Sequence, residues 1–144
     1  MNESNVSLTI NRTFAAPIEA VYAAWTDPEI IKKWLAPGTT EVVRAERELK
    51  VGGKFLCQMR EQDGKMHLTR GVYREIVPNQ KVVFTWQWEG TDDETLITVQ
   101  LRSKSPQETE LTLTHERFAD TETRDHHNEG WSKCFIKLEA LYAA

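Results

Sequence analysis

The sequence predicts an α+β domain in which a curved, seven-stranded antiparallel sheet lies under a long C-terminal helix, in the order β, α, α, six strands, α. Three observations carry this. From Asp120 to Ala144 the residues His127, Trp131, Cys134, Phe135, Leu138, Leu141 and Tyr142 fall on one face at helical spacing. From Thr40 to Arg117 the period drops to two, in short segments broken by turn residues. Between the first strand and this meander sit two short stretches that open on prolines.

Each element has its own justification. Val6, Leu8, Ile10 and Phe14 alternate with polar residues in a half-buried strand. Arg12 breaks the apolar phase and is expected to pair with a carboxylate. Pro17 suits the first position of a helix reaching Trp25, and Asp27-Pro28-Glu29 caps and opens a second helix that runs to Leu35. Strands follow over Glu41–Leu49 (Val43, Ala45 and Leu49 on one side), Lys54–Glu61 (Phe55, Cys57, Met59), and Met66–Val77, which alternates poorly. Gln62-Asp63-Gly64-Lys65 between the last two is a hairpin signal. Lys81–Glu89 (Val82, Phe84, Trp86, Trp88), Glu94–Arg102 (Ile97, Val99, Leu101) and Glu110–Arg117 (Leu111, Leu113, His115) complete the sheet. A sheet this wide twists and curls. The final helix, about 35 Å long at 1.5 Å per residue, is expected to cover its concave face. In that helix Ile136 points away from the stripe, with Glu129, Lys133 and Ala140.

Residues 1–144 read as a single domain, long enough to bury a core without staples. The net charge of −4, with both signs interspersed, argues against a nucleic-acid partner. No apolar run approaches a membrane span, and the first residues lack a signal-peptide pattern, so no membrane insertion and a cytoplasmic location are expected. Cys57 and Cys134 both take apolar phase and read as buried free thiols, with a disulfide as the alternative.

The run Arg12-x-Phe14-x-Ala16-Pro17, then Val21, Trp25-Thr26-Asp27-Pro28, Ile31, Trp34 and Pro37, resembles the opening signature of the activator of Hsp90 ATPase homologue 1-like family, within the START/Bet v 1-like superfamily. The similarity continues through Gly52-Gly53-x-Phe55, Met59, Asp63-Gly64, Gly71-x-Tyr73-x-Glu75-Ile76-x-Pro78 and Val83-Phe84-Thr85-Trp86. It ends with Leu111-Thr112-Leu113-Thr114-His115 and Gly130-Trp131 leading into Leu138. The resemblance spans nearly the whole chain. It implies a helix-grip fold with a cavity for apolar ligands. The eukaryotic namesake is a co-chaperone, so a chaperone partner is a further expectation.

The candidate chemistry lies among aromatic and histidine side chains. Of the five tryptophans, Trp25 and Trp86 read as core, Trp34 and Trp131 as core or pocket rim, and Trp88 as rim or surface. His115 and His127, both in apolar phase, are expected to face each other across the cavity, either as satisfied core residues or as polar handles for a ligand. Adjacent His126 and His127 point about 100° apart on a helix, so they do not form a metal pair. Neither a metal nor a cofactor is expected. Gly130 within the last helix reads as a close helix–sheet approach, with room for a ligand as the alternative.

The function expected is binding of a small, largely apolar molecule. The lining is assigned to Trp34, Phe55, Met59, Tyr73, Trp86, His115, His127, Trp131 and Phe135. A monomer or homodimer fits this reading. An enzyme of cyclase, isomerase or hydrolase type in the same pocket, with Tyr73, Glu75 and His115 as an acid–base set, is the alternative. No nucleophile motif accompanies that set, and no residue is assigned a catalytic role. A chaperone-binding module is the third reading.

Overall fold

The computed structural model describes residues 6–143, so the first five residues and the expected helix end at Ala144 lie outside it. The elements are β1 (Val6–Phe14), α1 (Ile18–Thr26), α2 (Pro28–Trp34), β2 (Glu41–Arg47), β3 (Lys54–Arg60), β4 (Met66–Val77), β5 (Lys81–Trp88), β6 (Thr95–Ser105), β7 (Glu108–Phe118) and α3 (Thr121–Tyr142). The seven strands form one antiparallel sheet in the order β1-β7-β6-β5-β4-β3-β2. β2–β7 are therefore a meander, and β1 returns to pair with β7.

The helices start where local chemistry supplies caps. Asp27 accepts from the Glu29 N–H at 2.9 Å and Pro28 follows at the first helical position. Asp120 accepts from the Thr123 N–H at 2.8 Å to start α3. Pro17 is the cap residue of α1 rather than its first residue; its carbonyl accepts from Ala20 and Val21.

Two expectations about side-chain phase and one about an ion pair are corrected. A bulge between Val42 and Arg44 turns Val42, not Val43, onto the core with Ala45. A second bulge, between Tyr73 and Glu75, puts Tyr73 inside and Glu75 in solvent beside Lys81 at 3.3 Å. That bulge accounts for the poor alternation of β4. Finally, Arg12 meets no carboxylate among the described residues, and its guanidinium donates to the Asn11 carbonyl at 3.2 Å.

The core lies between the sheet and α3. Leu138, Phe135, Cys134 and Trp131 of the stripe are buried, and Ile136 is 66% exposed as its phase requires. Leu141 departs from the stripe and is exposed. At one end α1 and α2 plug the space with rings: Trp25 lies 4.7 Å from Trp34, and Phe14 and Trp34 lie 5.8 and 6.2 Å from Phe135. Trp34 is fully buried, its indole N–H donating to the Ala24 carbonyl at 2.9 Å. Tyr142 closes this end by donating to the Ala20 carbonyl. Cys57 and Cys134 are buried free thiols, and burial pushes both up to about 12. They are inert at neutral pH. No helix among the described residues is long and apolar enough to cross a membrane.

Candidate functional site

The ring plug fills only one end of the space under α3. Toward the N-terminal half of α3 the helix and sheet stand apart, leaving a partly open cavity of ≈ 400 Å³. α3 contributes His126, His127, Gly130, Trp131 and Cys134; the segment after α2 contributes Leu35, Pro37 and Thr40. The sheet contributes Met59 from β3, Glu61 just beyond its end, His67 from β4, and Trp86 and Trp88 from β5. The wall is mainly apolar, as ligand pockets are. His126 is exposed and Glu61 and His67 are half-buried, so these three mark the mouth.

Gly130 holds this space open. A Cβ added there would meet nothing within 4 Å. The expectation of a close helix–sheet approach at Gly130 is therefore overturned: the helix passes over a void at this residue, and the missing side chain is part of it. Close approach occurs instead at Gly71 in β4, where an added Cβ would lie 1.9 Å from the Thr85 carbonyl oxygen. There the Val72 N–H turns to the Thr85 hydroxyl at 2.8 Å.

Behind the cavity wall runs a chain of directed hydrogen bonds. The Trp131 indole N–H donates to His115 Nδ1 at 3.1 Å. Nε2 of His115 must then carry the proton, and it donates to the Thr95 hydroxyl at 2.7 Å. That hydroxyl donates to the Trp86 carbonyl at 2.8 Å. In parallel, the Trp88 indole N–H donates to His127 Nε2 at 2.9 Å, so His127 Nδ1–H donates to the Thr123 carbonyl at 2.9 Å. The two imidazoles face each other with centroids 5.1 Å apart, and Phe118 packs on both. Burial, followed by the neighbouring His127, holds His115 well below its ordinary value. Burial lowers His127 too, against the opposing pull of the Thr123 carbonyl. Both are neutral at pH 7, and all four ring nitrogens are engaged within the protein. The imidazoles thus fix the rings of Trp88 and Trp131 and leave no free donor or acceptor for a ligand.

Of the nine residues assigned to the lining from sequence, the structure brings Met59, Trp86, His127 and Trp131 together at the cavity. Trp34, Tyr73, His115 and Phe135 are packed in the core instead. Phe55 lies on a separate, charged depression of ≈ 560 Å³ with Arg47, Lys54 and Arg70. The acid–base set does not assemble, because the bulge turns Glu75 into solvent, away from buried Tyr73 and His115.

A different carboxylate–imidazole pair does form. Glu61 and His67 flank the 62–65 hairpin and meet at the mouth through Glu61 Oε2 and His67 Nε2. The hairpin signal was the clue to this pair: a tight turn there brings the end of one strand beside the start of the next, and Met59 stands opposite His67 in the ladder. Trp88, with its ring edge-on to His67 at 6.3 Å, adds to this rim.

A curved antiparallel sheet gripping a long helix, with a partly open cavity between them, defines a helix-grip domain of Bet v 1-like type. The family model described as activator of Hsp90 ATPase homolog 1-like protein matches residues 15–143, and the chain belongs to that family. A curated relative, activator of 90 kDa heat shock protein ATPase homolog 2 of Mus musculus, is 33% identical over 109 residues, which are 75% of this chain and 29% of the relative. The chain thus spans under a third of that relative's length. Among solved structures, a protein of Chromobacterium violaceum superposes with a TM-score of 0.86 at 26% identity, over 96% of this chain and 99% of that one. The AHSA1 protein of Silicibacter pomeroyi does so at 0.84 and 27% identity, over 96% and 98%.

Proposed function

We propose that this domain binds a small, largely apolar molecule in the cavity between β3–β5 and α3. The observation that carries the reading is the void beside Gly130, where helix and sheet part although the rest of the interface is close-packed. A helical glycine costs about 1 kcal/mol relative to alanine, and here it leaves room rather than relieving a clash. Three indoles and Met59 supply an apolar wall, and the histidine chain behind them fixes two of those indoles. Titration with a neutral planar dye, followed by fluorescence, tests this. The parent protein is expected to bind it and Gly130→Leu to lose it while keeping its fold. Equal binding by both proteins overturns the assignment to this cavity. Native mass spectrometry of freshly purified protein then looks for a co-purified molecule.

Family membership favours a second reading, a docking module for a chaperone of the 90 kDa heat-shock class. Its test is the ATP hydrolysis rate of such a chaperone with and without this protein. Stimulation that persists in Gly130→Leu would assign the activity to the outer surface rather than the cavity.

A further inference from the structure

We infer that the mouth of this cavity selects ligands that carry a protonated amine on a flat apolar body. The inference rests on the cavity being a ligand site, and it concerns which ligands that site prefers.

The polar groups at the mouth decide the matter. Glu61 spends Oε2 on His67, and its Oε1 has no partner among the described residues. His67 must keep a proton on Nε2 to face the carboxylate, so in the neutral imidazole Nδ1 is a bare acceptor, also unpartnered among the described residues. With the imidazole neutral, the pair offers a ligand two acceptors and the charge of Glu61. Of the lining donors, the Trp88 and Trp131 indole N–H groups are spent on His127 and His115, and the Trp86 N–H is buried with no partner among the described residues, which leaves the His126 ring and the Thr40 hydroxyl on the open side. Lys137 donates to the Thr40 carbonyl at 3.0 Å and is not part of the lining.

The wall favours the same charge. Trp86, Trp88 and Trp131 all border the cavity, with Trp86 5.5 Å from Trp88 and 5.4 Å from Trp131 between ring centroids. Indole rings attract cations through their quadrupole, more strongly than other aromatic side chains do. An ammonium seated at the mouth gains the Glu61 charge, hydrogen bonds to free acceptors and the electron-rich rings, while its apolar body fills the space under Gly130. A carboxylate in the same place meets the charge of Glu61 and has only the His126 ring and the Thr40 hydroxyl to offset it.

Three probes sharing one naphthalene body separate these outcomes: 2-naphthylmethylamine, 2-naphthylmethanol and 2-naphthoate. Binding to the full chain is measured by isothermal titration calorimetry at about pH 8, above the ordinary imidazole range. The amine is expected to bind about tenfold tighter than the alcohol, and the acid more weakly than either. In Glu61→Gln the amine should lose most of its advantage and keep only the share the indole rings supply, with the alcohol unchanged, which also shows that the variant folds. An amine no tighter than the alcohol, or an amine preference undiminished in Glu61→Gln, overturns the inference and leaves the cavity reading standing. Failure of all three probes to bind overturns the cavity reading and the inference with it.

Discussion

The Trp131 indole N–H donates to His115 Nδ1 at 3.1 Å, joining the long helix to the sheet through a fully buried imidazole. This bond sets the tautomer of His115 and, through Thr95, ties α3 to the β5–β6 pair in the middle of the sheet. It works only while His115 is uncharged, because a protonated Nδ1 repels the indole donor.

A pH dependence of stability follows. His115 and His127 are both held below their ordinary value in the folded chain, whereas in the unfolded chain they titrate near 6.5. Over the interval between those values the unfolded chain binds more protons. Their contribution is therefore fully present above about pH 6.5 and is lost as pH falls toward the folded-state values. Urea midpoints should drop between about pH 7.5 and 5.5, and His115→Gln should flatten part of that drop. An unchanged slope in His115→Gln would show that other groups dominate.

The long helix is the lid of the core, and its phase is testable. Leu138 is fully buried, so Leu138→Ala should cost about 2–5 kcal/mol, the range for leucine truncation in cores. Ile136 is 66% exposed, and Ile136→Ala should cost under about 1 kcal/mol. Denaturant melts of the two variants give the comparison directly.

Where side-chain period and burial coincide, the fold was legible: Leu138 in and Ile136 out on α3, and Ile97, Val99 and Leu101 on β6. Period fails at a bulge, since one extra residue flips every later side chain. That is why Val43 and Glu75 were placed on the wrong faces. The site was legible in part. Apolar phase finds residues on the inner face, and it led to Met59, Trp86 and Trp131. It cannot say which of them border a void, because Trp34 and Phe135 share that phase and are packed solid. Glu61, His67 and Gly130 carry no apolar signal at all. Their roles come from a hairpin and from the distance at which a helix crosses a sheet.

Gly130 should separate stability from binding. Gly130→Ala adds a methyl group to open space and should stabilise α3 by about 1 kcal/mol through helix propensity alone. Gly130→Leu extends the side chain into the cavity and should lower dye affinity at retained thermal stability. By contrast, Gly71→Ala has no such space: its Cβ would lie 1.9 Å from the Thr85 carbonyl, and the β4–β5 contact must shift. A loss of about 1–3 kcal/mol is expected, as for other overpacked sites. Thermal melts of the three variants should rank Gly130→Ala above the parent and Gly71→Ala below it.

Two tryptophans offer a contrast that isolates the buried hydrogen bond. Trp25 and Trp131 are both nearly buried, and their rings lie 5.7 Å apart. The Trp131 N–H donates to His115, whereas the Trp25 N–H has no partner among the described residues. Replacing either by phenylalanine removes a similar volume of ring, so the packing losses should be comparable. The polar consequences differ in sign. Trp25→Phe deletes a buried donor that was never satisfied, which returns part of the packing loss. Trp131→Phe strands the buried Nδ1 of His115 without a donor, at an added cost of about 1–3 kcal/mol. Urea melts at about pH 8, where imidazole protonation does not interfere, should therefore place Trp131→Phe below Trp25→Phe by roughly that margin. Adding His115→Phe to each variant completes the comparison. It removes the stranded acceptor, so it should narrow the gap if the hydrogen bond is its cause. If the gap stays unchanged in the double variants, packing alone produces the difference.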